Sequence, residues 1–232
     1  MAAPVGGLAM KLGPYDLDTI VTGDARILAR LIPDESVDLI FTDPVYDRID
    51  DYRWLAETAA RVLKPDSACL VFFGIGFLPE TLRAVSLLSY RWMGLWYQSN
   101  NMQRADMGFC NYSPFLWLEK GRSKVVNQTG DVANIPIPGG TDNHNHKWSK
   151  QPGLIMRYLK AFTHPGAIVA DFFTGGGTVP AVCKMLNRRY LAFEIDPDTA
   201  DLARERVRQT QPPLPGLVIE QGELGLDALT PR

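Results

Sequence analysis

The sequence of 232 residues has few cysteines and no pattern that would join them. Cys69, Cys110 and Cys183 lie far apart and form no C-x-x-C pair. This spacing argues against a disulfide framework or a cysteine-based zinc site, and it favours a reducing cytoplasm. Histidine is also scarce: His144 and His146 form an H-x-H pair with no thiol partner nearby, so we expect no metal.

A strong excess of one charge and a long apolar run are also missing. The chain carries 24 basic and 26 acidic side chains, which excludes a histone-like polycation but still allows a local nucleic-acid surface. The longest apolar stretch, residues 68–78, contains two glycines and is too short to span a bilayer, so we expect no membrane segment. The first residues carry no basic region ahead of an apolar core, so we expect a cytoplasmic protein without a signal peptide.

The sequence does contain a regular alternation of strand-like and helix-like segments. Short apolar runs, typical of strands buried on both faces of a parallel sheet, alternate with segments of helical period. The predicted strands are Leu17–Thr22, Val37–Thr42, Ala68–Gly74, Trp92–Gln98, Pro114–Glu119, Ala167–Phe172 and Tyr190–Glu194. The predicted helices are Ala25–Leu31, Tyr52–Leu63, Phe77–Leu88, Leu154–Phe162, Val179–Leu186 and Thr199–Gln209. This alternation predicts an α/β fold with a doubly wound, mostly parallel sheet of seven strands.

Three parts of the chain fall outside this alternation. Residues 1–16 are predicted to be a loose lead-in, and residues 211–232 a weakly structured tail, around a single domain over residues 17–210. Within the domain, residues 121–150 are polar and show no clean period. A long irregular segment inside a compact domain usually carries function.

A glycine-rich turn follows the strand predicted at 167–172. The sequence Asp171-Phe-Phe-Thr-Gly-Gly-Gly-Thr178 leads directly into a helix, and successive glycines let a ligand approach the backbone closely. Glu194 ends the next strand, nineteen residues after Gly175, where its carboxylate can accept hydrogen bonds from ribose hydroxyls. Loop and acid together predict a nucleoside cofactor. The alternative is a plain connecting turn followed by a solvated acid.

A second turn follows the strand predicted at 37–42. Its sequence is Asp43-Pro-Val-Tyr46, and the carboxyl end of a parallel strand is where α/β folds bind ligands. Pro44 stiffens the turn, so Asp43 and Tyr46 should face the cleft with little freedom. An aromatic ring can stack on a planar base while a carboxylate accepts a hydrogen bond from the exocyclic amino group of that base. The turn therefore predicts an amino-group substrate.

Together these motifs resemble the S-adenosylmethionine-dependent DNA methyltransferases that modify amino groups. The family's D-P-P-Y motif appears as Asp43-Pro-Val-Tyr46, and its D-P-F-x-G-S-G-T motif appears as residues 171–178. The first motif precedes the second, which is the order of the circularly permuted beta group of that family. The segment His146-Lys-Trp-Ser-Lys-Gln-Pro152 resembles the motif that precedes the cofactor strand. The resemblance covers about residues 17–209.

The resemblance implies a Rossmann-like methyltransferase, of the kind found in bacterial or phage restriction–modification, that moves a methyl group directly to a base flipped out of double-stranded DNA. Asp43 at the first motif position favours adenine N6, with cytosine N4 as the alternative. The residues implied to hold the base are Asp43, Pro44 through its carbonyl, and Tyr46. The residues implied to bind S-adenosylmethionine are Asp24 at the adenine end, Glu194 at the ribose, and Ile195, Asp43, Lys150, Gln151, Asp171, Phe172, Phe173, Thr174, Gly175, Gly177 and Thr178.

The basic side chains of the molecule are concentrated in one segment. Residues 104–160 carry eight basic and four acidic side chains, whereas the rest of the chain is acidic. The predicted DNA contacts are Arg104, Lys120, Arg122, Lys124, His146, Lys147 and Trp148. The recognition segment, about residues 98–150, is short, which predicts a short site or completion by a second subunit in a homodimer.

Three other functions remain open from the sequence. A nicotinamide oxidoreductase uses the same fold, although the missing G-x-G-x-x-G pattern argues against it. RNA or a protein glutamine amide could accept the methyl group instead of DNA. A cofactor-binding protein without catalysis is suggested by Val45, which stands where the family has a second proline.

Overall fold

The computed structural model describes residues 10–100, 103–105, 108–136 and 150–212. The strands in these ranges are β1 (Lys11–Leu12), β2 (Tyr15–Asp16), β3 (Thr19–Thr22), β4 (Val37–Thr42), β5 (Leu63–Phe72), β6 (Ser89–Tyr97), β7 (Gln103–Ala105), β8 (Gly108–Cys110), β9 (Tyr112–Lys120), β10 (Val132–Asn134), β11 (Ile168–Asp171) and β12 (Arg189–Glu194). The helices are α1 (Ala25–Leu28), α2 (Ile49–Val62), α3 (Leu78–Ala84), α4 (Pro152–Phe162), α5 (Thr178–Met185) and α6 (Pro197–Gln209), with 3-10 turns at Ala29–Leu31 and Ile75–Phe77.

The described strands form one large sheet in the order β10-β6-β9-β5-β4-β11-β12-β3. Every neighbouring pair is parallel except those made by β9, which runs antiparallel to both β5 and β6. All seven predicted strands lie in this sheet, and all six predicted helices are present with shifted ends. The prediction of a doubly wound, mostly parallel sheet is confirmed. The described residues add β10, which lies in the segment predicted to be irregular.

Helices cover both faces of the sheet, which explains the continuous apolar strands. On one face α1, α2 and α3 bury their apolar side chains in a core that includes Tyr52, Leu55 and Phe193. On the other face α4, α5 and α6 pack over a second core that includes Phe41 and Leu159. The strands between the two layers carry apolar side chains on both surfaces because each surface meets a helix layer.

Two stretches differ from their predicted organisation. The lead-in was predicted to be loose, but residues 11–16 form an antiparallel hairpin whose Leu12 is buried. The Tyr15 hydroxyl donates to the Leu28 carbonyl at 2.8 Å, which fastens this hairpin to α1. Residues 103–110 contain a second small hairpin, formed by β7 and β8. Residues 1–9 and 213–232, which include most of the predicted tail, lie outside the described residues.

The order of the strands decides where the two sequence motifs meet. The β4 and β11 strands are parallel neighbours at the middle of the sheet, with Leu39 opposite Val169. The turns that leave their carboxyl ends therefore lie side by side, although Thr42 and Asp171 are 129 residues apart in the chain.

No helix in the described ranges is long and apolar enough to cross a membrane.

Candidate active site

The site lies at the edge of the sheet where the parallel strands end. Four strands end there in the order β4, β11, β12 and β3. They lead respectively into the Asp43 turn, the glycine loop, Glu194 and the Gly23-Asp24 turn. The Gly23 amide donates to the Glu194 carbonyl at 2.8 Å, so the last two turns are in direct contact.

Asp43 carries a carboxylate whose two oxygens have different surroundings. Its Oδ2 accepts a hydrogen bond from the Lys150 ammonium in an ion pair, and three-quarters of the Asp43 side chain is shielded from solvent. Its Oδ1 is buried and has no hydrogen-bond partner among the residues that the structure describes. A buried acceptor without a donor costs about 1–3 kcal/mol, so this oxygen is where a ligand N–H would be most favourable.

Tyr46 forms the aromatic wall beside this carboxylate. Its ring packs closely on Gly74, since a Cβ at that glycine would lie only 3.1 Å from the Tyr46 Cδ2 atom. Burial raises the pKa of the Tyr46 phenol well above its usual value, and the nearby Asp43 charge raises it further. Tyr46 therefore remains a neutral phenol at every physiological pH. Pro44, which precedes it, is buried, whereas Val45 is exposed.

Thr42 connects the Asp43 turn to the glycine loop. Its hydroxyl donates to Asp171 Oδ1 at 2.8 Å and accepts from the Phe173 amide at 3.2 Å. Asp171 is buried, and burial raises its pKa to about 7 even though the hydrogen bonds from Thr42 and the Phe173 amide lower it. Sequence reasoning missed Thr42. Its position at the end of β4, directly before Asp43, was the available signal.

The glycine loop combines an open position with a closed one. Gly175 has φ +47° and no heavy atom within 4 Å of the place where a Cβ would stand. Gly177 has φ +73°, and a Cβ there would come within 2.8 Å of the Ala203 Cβ on α6. Glycine is required at the second position because the loop packs closely on a helix. At the first position the backbone is free for a ligand to approach.

Glu194 fixes the glycine loop from the neighbouring strand. Its Oε2 accepts from the Gly175 amide at 2.8 Å, and its Oε1 accepts from the Asp196 amide at 3.0 Å. Each oxygen retains a second lone pair for a further donor. Ile195 follows with 68% of its surface exposed, and Asp24 caps the start of α1 by accepting from the Arg26 amide at 2.8 Å.

Several side chains implied to bind the cofactor do not line the cleft. Phe172 is buried in the core, where it stacks on Phe193 with 5.7 Å between ring centroids. Thr178 is buried, and its hydroxyl accepts from Arg206 at 2.9 Å. The side chains of Phe172 and Thr178 therefore point into the interior, and their implied role in cofactor binding stays a prediction. Only their backbone atoms remain available to a ligand.

The remaining implied cofactor residues lie along the loop and at the start of α4. Phe173 is half-buried with its ring edge-on to Trp54 at 5.9 Å, and Thr174 is buried with its amide donating to the Phe193 carbonyl. Gln151 is the residue before α4, and its carbonyl accepts from the Leu154 amide at 3.1 Å. Lys150 points away from this set, toward Asp43.

Two further residues of the site were missed from the sequence. Phe72, at the end of β5, lies under the Lys150 ammonium with 4.6 Å from Nζ to the ring centroid. Arg206 on α6 donates to the Gly176 carbonyl at 3.1 Å and so braces the loop from behind. Phe72 ends a strand next to β4 and could have been found by that position. The helical pattern of α6 does not indicate that Arg206 contacts the glycine loop.

The predicted DNA contacts do not form one surface. Lys120 pairs with Ser67 in the sheet, whereas Phe115 pairs with Phe72 at the active-site edge, so Lys120 lies about 17 Å away along the strand. It is also engaged, since its ammonium donates to Glu35 and to the Leu63 carbonyl. Arg122 lies at this far edge, where its amide donates to Asp66, and Lys124 follows it.

Lys120, Arg122 and Lys124, which were predicted to contact DNA, therefore lie at the opposite edge of the sheet from Asp43, and their role in DNA binding stays a prediction. The reason is that β9 runs opposite to β5, which carries its C-terminal end away from the site. Arg104 is exposed in the β7–β8 hairpin and remains a candidate. His146, Lys147 and Trp148 lie outside the described residues.

Cys69 and Cys183 are buried, and burial raises the pKa of each thiol, so neither is a nucleophile at neutral pH. No group of three or more potential metal ligands occurs among the residues that the structure describes.

The site combines a carboxylate and an aromatic ring with a glycine loop and an acid at a strand end. On a doubly wound sheet, this combination is typical of enzymes that bind a nucleoside cofactor and act on a planar amino compound. A family model described as DNA methylase matches residues 89–205, which is half of the chain. The chain belongs to this family, the N6/N4 DNA methylases.

Individual proteins agree with this assignment. The chain is 25% identical to the type II methyltransferase M.HinfI of Haemophilus influenzae, over 84% of this chain and 70% of that one. Among solved structures it resembles the complex of M1.HpyAVI with SAM, with a TM-score of 0.68, 23% identity, and 82% and 98% of the two chains covered. It also resembles the cytosine-N4-specific PvuII DNA methyltransferase, with a TM-score of 0.72, 17% identity, and 81% and 85% covered. These structural matches establish a shared fold.

Proposed function

We propose that the protein transfers a methyl group from S-adenosylmethionine to the exocyclic amino group of a base in DNA, with adenine N6 as the acceptor. The observation that carries the proposal is the buried, unpartnered Oδ1 of Asp43 on the turn next to the glycine loop. An amino N–H is the complementary donor for such an oxygen. Family membership supports both the reaction and the DNA substrate.

The residues around the glycine loop fit an adenosyl group. The open space at Gly175 admits a ligand to the backbone, and the Glu194 carboxylate, already oriented by two backbone amides, is suited to accept from ribose hydroxyls. The exposed side chain of Ile195 offers an apolar surface beside Glu194, and Asp24 stands on the adjoining turn. When bound, S-adenosylmethionine supplies an activated methyl group on its sulfonium.

The base would be held by the Asp43 turn. Tyr46, a neutral phenol on a wall fixed by Gly74, provides a face on which a flipped base can stack, and this contact offsets part of the unstacking free energy. Asp43 Oδ1 accepts one amino N–H, and the Pro44 carbonyl is the second acceptor that the resemblance implies. Two acceptors draw the amino hydrogens out of the ring plane and free the nitrogen lone pair for attack.

The choice of adenine over cytosine rests on the residue at the first motif position. Asp43 occupies it here, and in the related enzymes an aspartate there is more often associated with adenine. The fold does not separate the two bases, since a cytosine-N4-specific enzyme is among the similar structures. The acceptor base therefore needs a direct chemical test.

The test uses unmethylated plasmid DNA and S-adenosylmethionine labelled in the methyl group. After the reaction, the DNA is digested to nucleosides and the label is identified by chromatography and mass spectrometry. We expect the label in N6-methyl-2′-deoxyadenosine. Label in N4-methyl-2′-deoxycytidine would overturn the choice of base. Parallel reactions receive RNA or protein in place of DNA, and label found only in those would overturn the choice of DNA.

A further inference from the structure

The side chain of Lys150 links the two residues proposed to hold the base. Its ammonium pairs with Asp43 Oδ2 and lies 3.3 Å from the Tyr46 hydroxyl. It also lies over two aromatic rings, 4.6 Å from the centroid of Phe72 and 5.7 Å from that of Tyr46. Only 13% of the Lys150 side chain is exposed, so these contacts are shielded from water.

These contacts restrict the carboxylate of Asp43. A free aspartate rotates about two side-chain bonds and presents either oxygen, but a charged donor on Oδ2 selects one orientation. Oδ1 is then the oxygen left over, and it is buried with no hydrogen-bond partner in the described part of the chain. We propose that Lys150 is a positioning residue for methyl transfer: it holds Oδ2 of Asp43 so that Oδ1 is presented to the target amino group.

The position of Lys150 itself is set by the fold. It stands immediately before Gln151 and Pro152, where α4 begins, and α4 is held in the core by Leu154 and Ile155. The residues implied to bind the methyl donor at this point of the chain included Lys150. The geometry instead directs its ammonium to the acceptor side, where positioning a reacting group within 1 Å is worth about 10²-fold in rate.

This inference rests on the proposed function and goes beyond it by naming the residue that orients the catalytic carboxylate. The test compares Lys150→Met, which keeps the length of the stem without its charge, with Lys150→Arg, which keeps a charged donor. Lys64→Met is the matched control, because Lys64 forms a similar ion pair with Asp38 at 2.6 Å at the other end of the sheet. Each variant is assayed for kcat and KM on unmethylated plasmid DNA, and calorimetry gives the affinity for S-adenosylmethionine.

We expect Lys150→Met to lower kcat by about 10- to 100-fold while the affinity for S-adenosylmethionine changes by less than about twofold. Lys150→Arg should recover most of the lost rate, and Lys64→Met should behave as the unmodified protein. An equal loss of cofactor affinity would mean that Lys150 binds the methyl donor. An unchanged or higher kcat would mean that Lys150 merely fills the pocket until a base displaces it. Either result would overturn the inference.

A measurement without DNA separates this inference from the proposed function. If Lys150 holds Asp43, the effects of Lys150→Met and Asp43→Asn on the unfolding temperature should be strongly non-additive, because each single variant leaves a partner unpaired. Additive effects would overturn the inference whether or not DNA is methylated. Absence of transfer to any nucleic acid by the unmodified protein, with this coupling intact, would instead overturn the proposed function.

Discussion

The two turns that meet at the active site are built in opposite ways. On the proposed cofactor side, the glycine loop is held by two side chains: Glu194 accepts from the Gly175 amide, and Arg206 donates to the Gly176 carbonyl and the Thr178 hydroxyl. On the acceptor side, the Asp43 turn leaves a buried carboxylate oxygen without a donor. The backbone of the glycine loop is therefore held in place before any ligand arrives, whereas the Asp43 carboxylate on the proposed acceptor side still lacks a donor for one oxygen among the described residues.

This difference separates two tasks. Binding benefits from a preformed site, since ordering a loop costs conformational entropy at the moment of binding. Catalysis benefits from interactions that become favourable only with the reacting group in place, and an unsatisfied acceptor is such an interaction. Changes on the acceptor side should therefore affect turnover, and changes on the cofactor side should affect affinity or stability.

The largest effect should come from Asp43→Ala. We expect methyl transfer to fall at least ~10³-fold, because the variant loses the acceptor that orients the amino group and polarises it for attack. Affinity for S-adenosylmethionine, measured by calorimetry, should change by no more than about threefold. Asp47→Ala, on an exposed carboxylate of the same turn, is the control and should keep the original rate. Parallel loss of cofactor affinity in Asp43→Ala would remove the distinction between the two sides.

The two loop glycines should separate stability from affinity. Gly177→Ala should lower the free energy of unfolding by about 2–4 kcal/mol, because it adds a clash with Ala203 to an unfavourable positive φ. Gly175→Ala should cost only about 1 kcal/mol, because its Cβ meets no protein atom. Its affinity for S-adenosylmethionine should nevertheless fall at least about tenfold, because the Cβ enters the open space. Urea unfolding and calorimetry measure the two quantities, and unchanged affinity in Gly175→Ala would show that the ligand lies elsewhere.

Titration of Asp171, at the start of the glycine loop, should make the stability of the folded protein depend on pH. Burial raises its pKa to about 7 in the folded protein, against an ordinary value of 3.8. Between these values the folded state binds more protons than the unfolded state, so this group lowers stability as pH rises through the window. Asp171→Asn keeps an acceptor oxygen for Thr42 but does not titrate. Relative to the unmodified protein, the variant should therefore gain about 2–3 kcal/mol of stability between pH 5 and pH 8.

Calorimetric unfolding temperatures across that range provide the measurement. A stability difference that stays constant with pH would show that Asp171 is ionised throughout, like an ordinary surface carboxylate.

The smallest effect should come from single basic residues on the DNA side. Arg104→Ala should weaken binding to plasmid DNA by about two- to fivefold at low salt, and by less at higher salt, because one phosphate contact is lost. Lys120→Ala, at the far edge of the sheet, should leave DNA affinity unchanged. Titration by fluorescence anisotropy at two salt concentrations distinguishes them. An equal loss of DNA affinity in both variants would support the single basic surface inferred from the sequence.

The sequence predicts the elements and the two turns because both depend on local patterns. Apolar runs mark the strands, and Asp43 and Gly175 follow strands whose carboxyl ends must meet if the sheet is parallel. The direction of β9 has no such local signature. For that reason, counting charges along residues 104–160 placed Lys120 near the site, although β9 carries it to the opposite edge.

The contact between Lys150 and Asp43 could not be predicted for a related reason. The two residues are 107 positions apart, and their contact depends on how α4 and β4 are placed by the rest of the sheet. The burial of Phe172 is similar, since the motif letters do not say which way a side chain points at a strand end. The sequence therefore predicts which residues have the required chemistry. Which of them contact one another depends on the order and direction of the strands and helices.

The position of β11 in the middle of the sheet also fixes when the site forms during synthesis. The β4 strand and the Asp43 turn are made early, but the strand that completes their environment begins only at Ile168. At typical elongation rates of about 5–20 residues per second, Asp43 exists for roughly 6–25 seconds before its neighbour Asp171 is added. A nascent chain that ends before Asp171 has the Asp43 carboxylate but not the glycine loop proposed to receive the methyl donor. The proposed methyl-transfer site is therefore among the last parts of the sheet to assemble.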